Sequence, residues 1–304
     1  METKRPILSL CLPTNGAVQW VIPTLRSVYE QGVDHSSFEV VITDNGEDSN
    51  LAEALMQFNY SNLRYIKTQD KGFLNLVTCL QMGNGLFCKM LNHRMVLLPG
   101  MLQKMIDFVN SYKDNKPVLY FLNGNGILPR TTECNNIDEF VYSMNVWVSW
   151  SAGIGFWDID KIKLSSIEPN EMFPNTSLLF EHRLNSEYII WNEIYGEMQN
   201  DSGKGGYDLF HTFGVVLNDL LLDLCNKKRI TNKTFQFVKR KIRIFLQGQY
   251  YSEIIQSKES SHTFIIRNIR ESMSVYYGLT GYYYMVARAY LALLKNKIMA
   301  CLHS

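Results

Sequence analysis

An apolar run from Leu86 to Leu91 stops at three polar residues, Asn92, His93 and Arg94, and Pro99-Gly100 follows a few residues later. A run of that length with such a border reads as a buried strand. In open α/β sheets ligands bind beyond the carboxyl ends of the strands, so a polar triplet placed there is a first candidate for chemistry. Met101, Leu102, Met105, Ile106 and Val109 then recur at helical spacing, with Pro99 suited to the first turn. The triplet therefore lies between a strand and a helix. An ordinary surface connection would also contain such residues.

Three other clusters hold side chains that could do chemistry. Asp44-Asn45-Gly46 closes a second apolar run, Phe38 to Thr43, and is equally the composition of a tight turn. Glu171 and Glu181 bracket Met-Phe-Pro-Asn-Thr-Ser-Leu-Leu-Phe, and a lone Glu such as Glu181 is commonly a solvated helix residue. His211 ends Gly205-Gly-Tyr-Asp-Leu-Phe-His, after a glycine run and near a helix start beside an apolar stripe. His35, His182, His262 and His303 form no metal-ligand spacing. The six cysteines include no Cys-x-x-Cys pair and read as buried thiols of a reducing compartment.

The elements that must position these residues alternate. Ile7 to Leu12 is a strand closed by Pro13-Thr14-Asn15-Gly16, and Trp20, Val21, Leu25, Val28 and Tyr29 mark a helix. After the strand Phe38 to Thr43, Asp48-Ser49-Asn50 offers N-cap types for a helix containing Leu51, Leu55 and Phe58. Leu63 to Ile66 is a third strand, and Phe73 to Leu80 a helix after Asp70-Lys71-Gly72. Four strand–helix alternations with short connections predict a parallel sheet with right-handed crossovers. Val118 to Leu122 adds a fifth strand. Further on, the pattern predicts strands at Phe140 to Trp150, Ile154 to Ile159 and Tyr188 to Trp191, and helices at Leu178 to Leu184 and Tyr207 to Leu224. A polar, basic stretch, Asn226 to Lys233, separates domain 1–225 from a helical region, 226–304. There Lys239, Arg240, Lys241 and Arg243 alternate with apolar residues, giving basic and apolar helix faces.

The chain of 304 residues can bury a large core, and its formal net charge of +1 gives no reason to expect nucleic acid. The start, Lys4-Arg5 before a short apolar run ended by Pro13, lacks a secretion-signal pattern, and Tyr282 to Leu294 is too short to span a bilayer. A cytoplasmic chain, soluble or peripheral on the inner membrane face, is expected.

In order and spacing, these pieces resemble the family 2 glycosyltransferases of the GT-A fold found in bacterial capsule and O-antigen clusters. Ile7-Leu-Ser-Leu-Cys-Leu-Pro-Thr-Asn15 resembles the opening strand, Leu25-Arg-Ser-Val-Tyr-Glu-Gln31 the first helix, and Glu39-Val-Val-Ile-Thr-Asp-Asn-Gly46 the second strand. Lys71-Gly-Phe73 resembles the loop before the third helix, and Gly85 to Gly100 the strand, motif and Pro-Gly helix start. The likeness covers roughly the first 110 residues, the size of a domain core.

The resemblance implies an α/β, Rossmann-like GT-A fold: a mixed, mostly parallel sheet flanked by helices, with the C-terminal helical region beyond it. It implies a sugar moved from a nucleotide-sugar, UDP-linked by default, to a glycan or lipid-linked oligosaccharide hydroxyl in surface polysaccharide synthesis, with inversion. Pro13, Thr14 and Asn15 would border the nucleobase and Asp44 would accept from base or ribose. Asn45 and Gly72 would line the donor, with Asn92, His93 and His211 near the diphosphate. Where the family places an acidic Asp-x-Asp type motif, this chain has Asn92-His93-Arg94, so no acidic motif supports Mg or Mn, and metal use would have to come through other ligands. Arg94 would stabilise the leaving group instead. Where the acidic pair is expected, the chain has Asn175 to Ser177, which leaves Glu181 or Glu171 as the base. The alternative is a non-catalytic module that binds nucleotide-sugar or glycan, or that partners an active transferase. The basic-apolar helices suit an anionic inner leaflet, packing or a homo-oligomer equally.

Overall fold

The computed structural model describes residues 5–47, 50–126, 128–183, 185–200, 202–257 and 260–303, without the side chains of 297 and 300–303. Lys4, the N-cap candidates Asp48 and Ser49, the expected helix end at Leu184 and the side chains of Cys301 and His303 lie outside the described set. The chain divides into two compact units, one of residues 1–140 and 149–200 and one of 141–148 and 201–304. The boundary expected at 225/226 falls within the second unit, at the end of a helix, Leu217–Asn226.

In the first unit β1 (Leu8–Thr14), α1 (Val18–Tyr29), β2 (Phe38–Asp44), α2 (Leu51–Ala54), β3 (Leu63–Lys67), α3 (Asn75–Met82) and β4 (Phe87–Met90) alternate as expected. There follow β5 (Met95–Leu97), α4 (Met101–Ser111), β6 (Val118–Phe121), β7 (Thr131–Cys134), α5 (Ile137–Met144), of which residues 141–144 belong to the second unit, β8 (Gly155–Trp157), α6 (Lys161–Leu164), α7 (Pro174–Glu181), β9 (Tyr188–Trp191) and β10 (Gly196–Met198). The main sheet has the order β3-β2-β1-β4-β8, parallel throughout except for β8, which runs antiparallel along β4. Every residue of β2 and β4 is buried, as in strands covered on both faces.

Several details differ from the sequence pattern. Pro13 and Thr14 continue β1 and pair with Thr43 and Asp44; beyond Cys11 the strand has only β2 beside it, so the missing proline N–H breaks no ladder. β6 does not extend the main sheet, because β8 occupies that edge of β4. It pairs with β9 in a separate sheet of order β6-β9-β7. The expected strand Phe140 to Trp150 is helical instead, α5 followed by a 3-10 turn over Asn145–Ser149. Ile137, Phe140, Val141, Met144 and Val148 are buried at helical spacing, which the local aromatic content masks. Pro99 lies before α4 rather than in its first turn, after the inserted β5, and the N-cap is Gly100 at φ 76°.

The second unit contains α8 (Leu209–His211), a π-helical turn, α9 (Leu217–Asn226), α10 (Asn232–Tyr250) and α11 (Ile269–His303). Two short strands, β11 (Gly205–Asp208) and β12 (Thr263–Ile265), pair in parallel, so Tyr207 begins no helix. The Thr231 side chain caps α10 by accepting from Thr234 N–H at 3.2 Å, and Phe235, Val238, Ile242, Leu246 and Tyr250 form its buried stripe. Gly278, at φ 64° and ψ 173°, breaks α11 into two helical segments. No helix among the described residues is long and apolar enough to cross a membrane.

Lys89, midway along β4, is fully buried. Its Nζ donates to the carbonyls of Met90 (2.9 Å) and Ala152 (3.0 Å) and lies 4.9 and 4.7 Å from the ring centres of Phe121 and Tyr195. Burial lowers its pKa to about 7. The unfolded chain holds this proton up to its ordinary range, so between about pH 7 and 10 the native state gains stability from Lys89 as pH rises. Lys89→Met is therefore expected to stabilise the protein most at neutral pH, with an advantage that shrinks towards pH 10. Urea titrations of both proteins at several pH values check this, and a constant difference would refute it.

Candidate functional site

The carboxyl ends of β1, β2 and β4 are cross-linked by polar side chains. Asp44, the last residue of β2, has a fully buried side chain. One carboxylate oxygen accepts from Gly46 N–H at 2.8 Å; the other accepts from Tyr65 Oη at 2.9 Å and Lys67 Nζ at 3.2 Å. Lys67 also donates to the Gly46 carbonyl. An added Cβ on Gly46 would stand 2.2 Å from the Asn15 carbonyl oxygen, so the close approach that Gly46 allows is to the β1 tip. The expected base or ribose contact of Asp44 is thus joined by a structural duty: its carboxylate organises the turn that follows it.

A second cross-link comes from Asn75, at the start of α3 and buried. Its amide donates to the carbonyls of Thr14 (3.1 Å) and Thr43 (2.9 Å), and its own oxygen accepts from Thr68 Oγ1 at 3.0 Å. Asn45 ties the next layer: its N–H donates to the Thr14 carbonyl (3.1 Å) and its side-chain amide to the carbonyls of Asp70 (2.8 Å) and Gly72 (3.0 Å). Asp70 Oδ2 is buried and accepts no hydrogen bond among the described residues.

At the tip of β4, Asn92 Oδ1 accepts the Arg94 N–H at 2.9 Å, which fixes the turn. The His93 ring nitrogen Nδ1 is hydrogen-bonded to Thr14 Oγ1 across 2.9 Å, joining the ends of β1 and β4. The His93 carbonyl accepts from Thr24 Oγ1 of α1 at 2.8 Å, and Gln199 bonds to the Arg94 carbonyl, the Trp20 carbonyl and Thr24 Oγ1. The half-buried Arg94 guanidinium lies 4.7 Å from the Trp20 ring centre and donates to the Asn200 carbonyl at 3.1 Å. Stacking on an indole and a fixed carbonyl hold the charge in one place. Burial, with the Arg94 charge next to it, lowers the His93 pKa to about 4, so the imidazole is neutral at pH 7.

Pro13, Thr14, Asn15, Asp44, Asn45, Gly72, Asn92, His93 and Arg94 therefore belong to one connected rim, closed by contacts between successive strands. Glu171 joins it through an exposed ion pair with Lys71 at 2.8 Å. Glu181 is the half-buried last residue of α7. The residues at the start of that helix, Asn175, Thr176 and Ser177, are buried; Asn175 donates to the Ser149 carbonyl at 3.2 Å and Ser177 Oγ to Phe173 at 3.0 Å. His211 belongs to the second unit, where its N–H donates to Asp208 at 3.0 Å and it lines a cleft of about 390 Å³ with Asp208, Arg267 and Glu271. Sequence pattern passed over Asn75, Asp70, Trp20 and Thr24. The first two look like ordinary cap or turn residues, and the other two like residues of a core helix.

A divalent cation does not fit the β4 tip. Hard cations take anionic oxygen ligands, whereas the tip offers an amide, a neutral imidazole and a guanidinium. Among the described residues no group of three or more His, Cys, Asp or Glu side chains is placed to hold a metal.

No protein-family model and no curated relative matches the chain. Solved structures do. It is similar to residues 1–349 of TarS from S. aureus in complex with UDP-GlcNAc, at 15% identity and a TM-score of 0.60, covering 89% of this chain and 79% of that one. It is also similar to the mannosyltransferase PcManGT from Pyrobaculum calidifontis in complex with GDP-Man and Mn2+, at 12% identity and a TM-score of 0.54, covering 98% and 81%. At such identities the likeness establishes the fold, and that fold is GT-A, mixed α/β with a parallel-rich central sheet.

Two outcomes follow from the rim. Asp44→Ala removes the carboxylate that accepts from the Gly46 N–H, the Tyr65 hydroxyl and Lys67, and an expected loss of about 1–3 kcal/mol in denaturant titration checks it. The His93 ring carbon resonances should stay constant from pH 8 to 5.5 and move only near pH 4. A midpoint above pH 6 would show an imidazole that is open and protonated.

Proposed function

We propose that the chain transfers a sugar from a nucleotide-sugar to a hydroxyl of a glycan or lipid-linked oligosaccharide, with Arg94 in the place that a divalent cation would otherwise take. The observation that carries this reading is the stack of Arg94 on Trp20 beside the Thr14–His93 link, a positive charge held at the carboxyl end of the sheet where α/β folds bind ligands. A UDP-sugar is the first donor to test, and synthesis of a surface polysaccharide in the cytoplasm is the setting that the family resemblance suggests.

In the transfer the acceptor oxygen attacks the anomeric carbon, forming the new glycosidic C–O bond as the bond to the donor phosphate oxygen breaks. The nucleoside diphosphate leaves with the electron pair, and configuration inverts. The growing negative charge falls on phosphate oxygens that a guanidinium binds through two parallel N–H donors. Such a preorganised donor stabilises the transition state without reorganisation. His93, neutral and oriented by Thr14, adds a polar contact but no charge. Asp70, with a buried carboxylate oxygen lacking a donor within the described chain, offers an acceptor for nucleoside N–H or O–H groups. The acceptor proton passes to a carboxylate, for which Glu181 and Glu171 are the candidates.

A second reading has its own support. Asn175 to Ser177, at the start of α7, and Asn92 to Arg94 contain no carboxylate, which favours a module that binds nucleotide-sugar without turnover.

Purified protein incubated with UDP-, GDP- and dTDP-sugars and acceptor membranes separates the two. Sugar transfer is expected with one donor, unchanged by EDTA, and Arg94→Ala should lower kcat by about 10²–10³-fold. Glu181→Gln and Glu171→Gln identify the base by which of them abolishes turnover while nucleotide still binds. Sensitivity to EDTA would refute the role given to Arg94. Binding without turnover would leave the second reading.

A further inference from the structure

The balanced charge of the chain conceals a strong division. Residues 227–304 contain 14 Lys and Arg against 3 Asp and Glu, whereas residues 1–226 contain 16 against 26. Asymmetry of this kind between parts of a chain points to an anionic partner for the basic part. Glu271 is the last acidic residue, so everything from Ser272 to the end is cationic or neutral.

Where that charge meets exposed apolar surface is the C-terminal segment of α11, after Gly278. Tyr283, Tyr284, Tyr290, Leu291, Leu294 and Ile298 are each 49–60% exposed. At the turn of an α-helix these positions span an arc of roughly 120°. The opposite side carries the buried Met285 and Ala289, and Asn296 donates to Tyr251 Oη at 2.9 Å, so the segment is docked with its apolar stripe outward. Arg288 and Lys295 border the stripe. On α10, Lys239 lies over Phe235 and Lys241 over Phe237, whereas Arg243 lies over Tyr284 and so adds a cation at the edge of the stripe.

We infer that this face of α11 is a membrane-surface anchor that lies in the headgroup region of an anionic lipid layer. Tyrosines and long aliphatic side chains enter such an interface, and flanking cations reach the lipid phosphates. A second copy of the chain fits less well. A two-fold pairing of identical stripes would bring their bordering cations together, with no carboxylate after Glu271 to offset them. Nucleic acid would require the cations at the centre of the face, where the apolar residues are. The inference relies on the second unit alone and holds whether or not the chain transfers sugar.

The test is sedimentation of the full chain with phosphatidylcholine vesicles containing or lacking phosphatidylglycerol. Binding is expected to the anionic vesicles and to weaken with salt. Leu291→Glu with Leu294→Glu should abolish it, and Arg288→Gln with Lys295→Gln should lower affinity roughly thirtyfold, about 1 kcal/mol for each charge. All four positions lie on or beside the outward face, and unchanged circular dichroism melts would confirm that the variants fold. Failure to sediment with anionic vesicles, or binding that the variants leave intact, would overturn the inference. So would a dimer in analytical ultracentrifugation that the Leu291→Glu, Leu294→Glu variant dissociates. Nucleotide binding measured on the same variants keeps this result separate from the donor site.

Discussion

A carboxylate buried at the end of a strand must find donors, and how Asp44 finds them shapes the whole edge of the sheet. Its oxygens take the Gly46 N–H, the Tyr65 hydroxyl and the Lys67 ammonium, which bends the chain back so that Gly46 closes against the Asn15 carbonyl. Leaving such a group unpaired would cost more than any single contact contributes, so the turn has little freedom. Asn75 then uses the two carbonyls that the turn leaves at Thr14 and Thr43. The tips of β1 and β2 become one rigid ledge, and the Thr14 hydroxyl presents itself to His93 from that ledge.

Rigidity at this edge matters because of what stands beside it. A cation would bring charge but would need carboxylates to bind it, and the charge would depend on its concentration. A guanidinium stacked on Trp20 is always present and always charged, at the cost of being a single positive charge with a fixed direction. Thr24 and Gln199 clamp the backbone of residues 93 and 94, and under the proposed function that clamp would aim the donor fork.

The sequence made some of this legible and hid the rest for physical reasons. The four alternations were readable because β2 and β4 are mostly apolar runs of strand length and the helices between them keep a regular spacing. Asn92, His93 and Arg94 were readable because polarity begins where burial ends. The strands β5, β7 and β10 were not: each is three or four residues long and takes its stability from a partner far away in the chain. Asn75 was hidden for a related reason, since an asparagine that joins two strand tips has the same local appearance as one that caps a helix. Lys89 went unremarked inside a run read as a buried strand, and the structure shows how burial is met: two carbonyls and two aromatic faces hold it in the core.

The charge of the chain shows the same limit at larger scale. A net charge of +1 argues against a polyanionic partner only if the charges are mixed. When the acids gather before residue 226 and the bases after it, the mean describes neither part. Over distances beyond about 8–10 Å salt screens one charge from another, so an anionic surface meets whatever charge is local to the approaching face. For α11 that is an apolar stripe bordered by Arg288 and Lys295 with no acid to its C-terminal side, and the mean over 304 residues carries no information about it.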